Sequence, residues 1–299
     1  MLSDLNSDFI VQIISTENVI RSENLESKLT ELGLKVQTSP GVVPNEIDFG
    51  DGLLHSSFLS YLICQRKMQM GEVGCALAHR NAITNFLNSD QRFGIIFEDD
   101  AEVIAEFNFD IIMTLLNSNL PIIVVLGWIP GFAIAKNPKV QLNDEPIELI
   151  TSPTCAFAYA VNRPAAKLMV NANDRIIDCA DWPVFTLNKV NFYATHTPWV
   201  TANHDPKFSI IGKRSNPMSN SPISVLVSRI RLASSLLTLI ILSKSKKLNI
   251  SPKQIVHRLI IRGLLYKYGA SQVVEKSTAN EVIPLPLKFQ RILRFLNVH

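Results

Sequence analysis

The chain has 299 residues, 47% hydrophobic and 18% charged. That is enough apolar material for one large domain or two smaller ones, and too much for an intrinsically disordered chain. The net charge of +3 conceals unequal halves: residues 1–212 carry 14 Lys and Arg against 24 Asp and Glu, whereas residues 213–299 carry 15 against 2. Met1 to Asp8 has two acids and no basic segment, unlike a secretory signal, and no apolar run reaches the roughly eighteen residues of a spanning helix. Cys64, Cys75, Cys155 and Cys179 lack the spacing of a disulfide framework or a metal motif, so reduced thiols in a cytoplasmic protein are expected.

Phe9 to Ile14 reads as a buried strand. Ser22 opens a helix with Leu25, Leu29 and Leu32 on one face and Gly33 placed to end it, and Leu34 to Gln37 reads as a second strand. This strand–helix–strand opening predicts an α/β fold with a mainly parallel sheet. Ser39 to Gly52 is a Gly-, Pro-, Asn- and Asp-containing loop, and Leu53 to Gln65 is weakly helical. Glu72 to Leu87 is helical, with Cys75, Ala78, Ala82 and Phe86 along one stripe and Glu72 favouring the positive helix end. His79 on this helix either packs in the core or helps position a ligand or the nearby acidic residues.

Those acidic residues are Glu98-Asp99-Asp100, which close the apolar strand Arg92 to Phe97. Three adjacent carboxylates at a core edge repel and lose hydration. They are either a solvated turn or the ligands of a divalent cation that itself holds a diphosphate. Ile111 to Leu116 reads as a helix, and Pro121 to Gly127 as a buried strand followed by Trp128, which either stacks on a ligand or closes the core. Lys136 to Pro146 reads as a polar loop, Thr154 to Val161 as a strand, and Pro164 to Met169 as a helix. Asp181 sits where a helix cap belongs, before Pro183. Asn191 to Thr195 is the last strand, and Thr197 to Ile210 a loop.

Gly71-Glu72-Val73-Gly74-Cys75, running into Ala78-His79 and succeeded about twenty residues later by the strand closed by Glu98-Asp99-Asp100, resembles the signature of glycosyltransferase family 25. These are bacterial lipopolysaccharide and lipooligosaccharide sugar transferases, with relatives acting on collagen hydroxylysine. The likeness extends from about Phe9 to Ile211. It implies a GT-A-like domain over residues 1–212 that moves a hexose, galactose or glucose, from a UDP-sugar to a glycan hydroxyl with inversion. It further implies Mn²⁺ or Mg²⁺ on Asp100 with Glu98 or Asp99 assisting, and donor contacts from Ile14, Ser15, Thr16, Gly71, Glu72, Gly74, His79 and Asp99. Relatives carry Asn-Leu-Asp and arginines after the first strand; this chain has Ser15, Thr16 and only Arg21. An inverting transferase needs a carboxylate base, for which Asp181 and Asp178 are the candidates. His204 or Asp205 is placed to complete the metal shell, or else belongs to an ordinary polar loop.

Ser215 to Pro222 reads as a linker, and the stretches 223–242, 255–268 and 289–296 are apolar helices studded with Arg and Lys. Basic amphipathic helices suit an anionic membrane surface, where each basic residue contributes on the order of 1 kcal/mol. Packing on the acidic body or an oligomer contact are the alternatives. No recognised motif accompanies the charge, so nucleic acid is not expected as a partner. With the basic tail, the resemblance implies an enzyme peripheral on the inner face of the bacterial inner membrane, using a lipid-linked or lipopolysaccharide acceptor. Two alternatives are a non-catalytic glycan-binding or assembly protein that keeps the fold, and a nucleotidyltransferase, which would want a Gly-rich basic loop that Ile14 to Arg21 lacks.

Overall fold

The computed structural model describes residues 2–16, 19–43, 45, 47, 55–64, 66–127, 132–133, 140–142, 145–151, 156–180, 182, 189–195, 197–202, 234–235, 237–243 and 283–284. In chain order the strands are β1 (Phe9–Ser15), β2 (Val36–Pro40), β3 (Phe93–Glu98), β4 (Ala101–Val103), β5 (Ile122–Val125), β6 (Phe132–Ala133), β7 (Val140–Leu142), β8 (Glu145–Thr151), β9 (Ala158–Asn162), β10 (Asn191–Thr195), β11 (Val200–Ala202) and β12 (Ile283–Pro284). The helices are α1 (Leu2–Asp8), α2 (Val19–Glu31), α3 (Ser57–Cys64), α4 (Met70–Asn88), α5 (Phe109–Leu116) and α6 (Arg163–Ala172).

The main sheet runs β12-β6-β8-β10-β5-β9-β3-β1-β2, with β7 against β8. β1 is parallel to both β2 and β3, and β10 is parallel to β5. β9 is antiparallel to β3 and to β5. Strands β2, β1, β3, β5 and β10 therefore point one way, in keeping with the mainly parallel sheet expected. β4 and β11 form a separate antiparallel pair.

The sheet is covered on both faces, as a parallel sheet must be. On one face Ala78, Ala82, Ile83 and Phe86 of α4 and Ala165, Ala166 and Met169 of α6 pack on Ile10, Ile14, Ile96 and Tyr159. On the other, Leu25 and Leu29 of α2 and Ile112 and Leu116 of α5 meet Val11, Ile13, Ile95 and Phe97. Each buried Val, Leu, Ile, Met or Phe among them stabilises the fold by roughly 1.5–3 kcal/mol, and each alanine by less. Gln12 breaks the apolar pattern of β1, and its Nε2 donates to the Ala82 carbonyl at 2.8 Å.

The expected helix stop at Gly33 is present. Gly33 has φ of 81°, its N–H donates to Thr30 at 2.8 Å, and Leu34 N–H donates to Leu29 at 3.1 Å. Those two bonds make a Schellman cap. The cap draws the buried Leu34 into the turn, which is why β2 starts at Val36 rather than Leu34. The stretch from Lys136 to Pro146 is not simply a polar loop, because β7 pairs with β8 in a hairpin, Leu142 opposite Glu145. The pairing is obscured in the sequence by Pro146 and the polar residues around it.

α6 starts on Asn162 as well as on Pro164. Asn162 Oδ1 accepts from Ala165 N–H at 3.1 Å and Ile122 N–H at 3.0 Å. Its Nδ2 lies within hydrogen-bond reach of the Leu116, Ser118 and Leu120 carbonyls. One buried amide thus caps a helix and ties α5, β5 and β9 together. Asn162→Ala is expected to cost about 3 kcal/mol, read as a lower denaturant midpoint at unchanged m-value.

Residues 237–243 of the basic tail are helical. Leu239, 1% exposed, packs among Leu62, Ile63, Leu77 and Ile176, while Leu237 and Ile241 face outward at 61% and 57%. This stretch lies on the body, the alternative that the sequence left open for it. The rest of the tail, apart from residues 234–235 and β12, lies outside the described residues. Among the described residues no helix is long and apolar enough to cross a membrane.

Candidate active site

The register of β1 on β3 places Ile14 opposite Glu98, so the segment after β1 and the acidic run leave the sheet side by side. In open α/β sheets ligands bind beyond such carboxyl ends. Ser15 Oγ donates to the Thr16 carbonyl at 2.7 Å and to Asp99 Oδ2 at 3.3 Å. Gly41 N–H donates to the Ser15 carbonyl at 2.7 Å. A Cβ at Gly41 would lie 2.6 Å from Thr16 Cγ2 and 3.0 Å from Thr16 N, so glycine eases the close approach of this loop to Thr16. Gly74 does the same for α4, where a Cβ would lie 2.5 Å from the Val42 carbonyl oxygen. Gly71 is buried one turn earlier.

Glu98, Asp99 and Asp100 are half-buried and diverge in their contacts. Asp99 turns to Ser15. Glu98 turns to α4, where His79 Nε2 lies 3.0 Å and Cys75 Sγ 3.9 Å from its Oε1. His79 Nδ1 lies 3.1 Å from the Tyr159 hydroxyl. Burial, with the Glu98 and Cys75 charges nearby, pushes the Tyr159 phenol well above its usual range, so it remains an O–H donor. Asp100 directly precedes β4, whose partner β11 ends at Ala202, two residues before His204. His204, Asp205, Asp181 and Trp128 lie outside the described residues.

Glu72 is engaged elsewhere. Its carboxylate takes both arms of Arg66, at 2.6 and 2.5 Å, and accepts from Gln69 N–H at 2.9 Å at the start of α4. The hydrogen bond to Glu72, against the opposing effect of burial, raises the Arg66 pKa and keeps its guanidinium charged. Asp178 is buried, and its Oδ1 accepts from Cys179 N–H at 3.0 Å and from the thiols of Cys64 and Cys179 at 3.5 and 3.6 Å. Trp182 is fully buried with φ of 59° and packs edge-on against Tyr159 and Phe192. A bulky residue in the left-handed region is strained and marks a conformation imposed by its surroundings. It comes directly after Asp181.

The structure thus joins Ser15 to Asp99 and His79 to Glu98, and directs Glu72 and Asp178 to other partners. Sequence reasoning misses Cys75 as a polar participant, although its four-residue spacing from His79 puts both on one helix face. It also misses Tyr159 and Arg66, whose partners are distant in the chain or in a different element.

As donors, carboxylate oxygens at a strand end suit a hard cation such as Mg²⁺ or Mn²⁺. Half-buried Asp99 and Asp100, beside the crevice, fit that chemistry. Glu98 is drawn aside to a nitrogen and a sulfur.

In this two-faced α/β sheet the acidic run at the end of β3 leaves beside the end of its parallel neighbour β1, the edge at which open α/β sheets bind ligands. The profile of glycosyltransferase family 25 (LPS biosynthesis protein) matches residues 9–184, more than half of the chain. The chain belongs to that family: it is a glycosyltransferase of lipopolysaccharide biosynthesis, with a sugar donor and a glycan acceptor. No curated protein matches it.

Proposed function

We propose that this glycosyltransferase has a GT-A-like catalytic domain and moves a hexose, galactose or glucose, from a UDP-sugar to a hydroxyl of a lipopolysaccharide, lipooligosaccharide or capsule glycan, with inversion. The observation that carries this reading is the contact of Ser15 with Asp99 across the ends of β1 and β3. It joins the donor-side loop to the acidic run in one crevice.

Asp100 and Asp99, with Glu98 alongside, would hold Mn²⁺ or Mg²⁺. Such an ion supplies Lewis-acid neutralisation of a leaving diphosphate. Ile14, Ser15, Thr16, Gly71 and Gly74 shape the donor side, and His79 and Glu72 support it by fixing Glu98 and the start of α4. On the acceptor side, Asp181 takes the hydroxyl proton as the new O–C1 bond forms and the C1–O bond to UDP breaks; UDP departs from the opposite face. Asp178, held by a backbone N–H and two thiols, is the weaker candidate for base. His204 is proposed as a further metal ligand. UDP release over a small panel of nucleotide sugars tests this reading, and no release from any UDP-hexose with a lipopolysaccharide acceptor would refute it.

The engagement of Glu98 by His79 supports a second reading, a glycan-binding or assembly protein that keeps the fold without transfer. Calorimetry of UDP with Mn²⁺ separates the two, since only the enzyme needs to bind the nucleotide.

The basic tail is proposed to hold the enzyme on the anionic inner face of the bacterial inner membrane. Deleting residues 245–299, which spares packed Leu239, is expected to abolish sedimentation with phosphatidylglycerol vesicles at low salt. Unchanged sedimentation would assign the tail to packing or oligomerisation.

A further inference from the structure

The geometry points to a binding site for a borderline-soft divalent cation of the zinc class formed by Cys75, His79 and Glu98. It shares Glu98 with the hard-cation site proposed on Asp100 and Asp99, but its test reads the Cys75 sulfur and does not depend on that role.

Cys75 and His79 leave the same face of α4, four residues apart, and Glu98 reaches them from the end of β3. Their ligand atoms, one from each side chain, all lie within 4.8 Å of one another. His79 Nε2 is 3.0 Å and Cys75 Sγ 3.9 Å from Glu98 Oε1. Zinc bonds of roughly 2.0–2.3 Å set tetrahedral ligand atoms about 3.3–3.7 Å apart. The three atoms therefore bracket the required spacing, and side-chain adjustments of under about 1 Å suffice.

The donor set is selective. A thiolate and an imidazole favour zinc over magnesium or manganese, which prefer oxygen alone. Thiolate and carboxylate together neutralise a dication, which suits a half-buried position. The thiol proton leaves to solvent as the sulfur binds.

The surrounding shell is already built. Tyr159, fully buried, stands 3.1 Å from His79 Nδ1, and the two rings stack 5.8 Å apart at 22°. A carboxylate accepts only, so without an ion the neutral tautomer that satisfies both contacts donates from Nε2–H to Glu98 and accepts from Tyr159 at Nδ1. With an ion on Nε2, the proton moves to Nδ1 and is donated to the phenol oxygen. Metal-bound histidines commonly have such an orienting partner on the second nitrogen. His79 is buried while Cys75 and Glu98 are partly exposed, so an ion has an entry path and a fourth position open to water. An ion here would clamp α4 to the end of β3 and fix the direction in which the acidic run leaves the sheet.

The test uses the full chain, stripped with chelator and titrated with Co²⁺. We expect one equivalent to bind with a sulfur-to-cobalt charge-transfer band, to be displaced by Zn²⁺ and to resist equimolar Mg²⁺ or Mn²⁺. Cys75→Ala should lose the band. Tyr159→Phe should keep the band but bind about 10–100-fold more weakly. A missing band in the wild type, or a band that persists in folded Cys75→Ala and so belongs to Cys64, Cys155 or Cys179, overturns the proposal. X-ray absorption of the zinc-loaded wild type needs no variant: one sulfur in the shell supports the site, and a shell of oxygen alone overturns it. UDP binding with Mn²⁺ is measured separately, so its loss would count against the proposed transfer reaction and not against this site.

Discussion

Asp100→Ala is expected to abolish sugar transfer while leaving the chain folded. Asp100 lies at the turn between β3 and β4, half-buried, where its removal opens no large cavity. Its proposed role is to counter the charge that develops on the leaving diphosphate. Loss of such an interaction lowers kcat on the order of 10³-fold, roughly 4 kcal/mol of barrier. Circular dichroism should be unchanged and binding of UDP with Mn²⁺ weakened. A folded variant that retains activity would remove Asp100 from the reaction. The same assay on Asp99→Asn should show a smaller loss, because part of that carboxylate's contact is with Ser15 rather than with ligand.

The second large effect concerns stability. Glu72 and Arg66 form a two-armed ion pair with side chains 1% and 14% exposed. Coulombic gain and desolvation nearly cancel for an intact buried pair, yet removing one partner strands the other charge. Glu72→Ala should therefore cost about 4 kcal/mol, a fall in Tm of roughly 10 °C for a chain of this size. It also removes the bond to Gln69 N–H that starts α4. The double variant Arg66→Met, Glu72→Leu should recover most of that loss. If the single and double variants melt together, the pair is not the source of the effect.

Where the fold was readable in the sequence, local chemistry made it so. Gly33 stops α2 because only its own turn is involved, and β10 coincides with the stretch Asn191 to Thr195 because its apolar positions and flanking residues are contiguous. The place of the acidic run at the end of a buried strand was legible because the apolar stretch and its polar boundary are contiguous. Asn162 was not, since its value depends on the backbone of Ile122 and Leu116, about forty residues or more upstream. Glu72 carried two roles in one residue: the first-turn position was visible, but Arg66, six residues upstream in a non-helical segment, was not. Cys75 read as a small packing residue because Glu98, the group that turns it into a polar participant, arrives from another element.

The place of β9 constrains how the molecule is assembled. It is hydrogen-bonded to β3 on one side and to β5 on the other, so those two strands never touch. A nascent chain emerging from the ribosome can join β1, β2 and β3 early, but that half stays open along the β3 edge until the segment around Ala158 has been synthesised. Glu98 N–H is bonded to the Phe157 carbonyl at 2.8 Å, so the acidic run, already registered against β1 through Ile14, gains its second backbone anchor at that late docking step. Truncations that stop short of residue 162 should consequently expose a sticky edge and aggregate during translation.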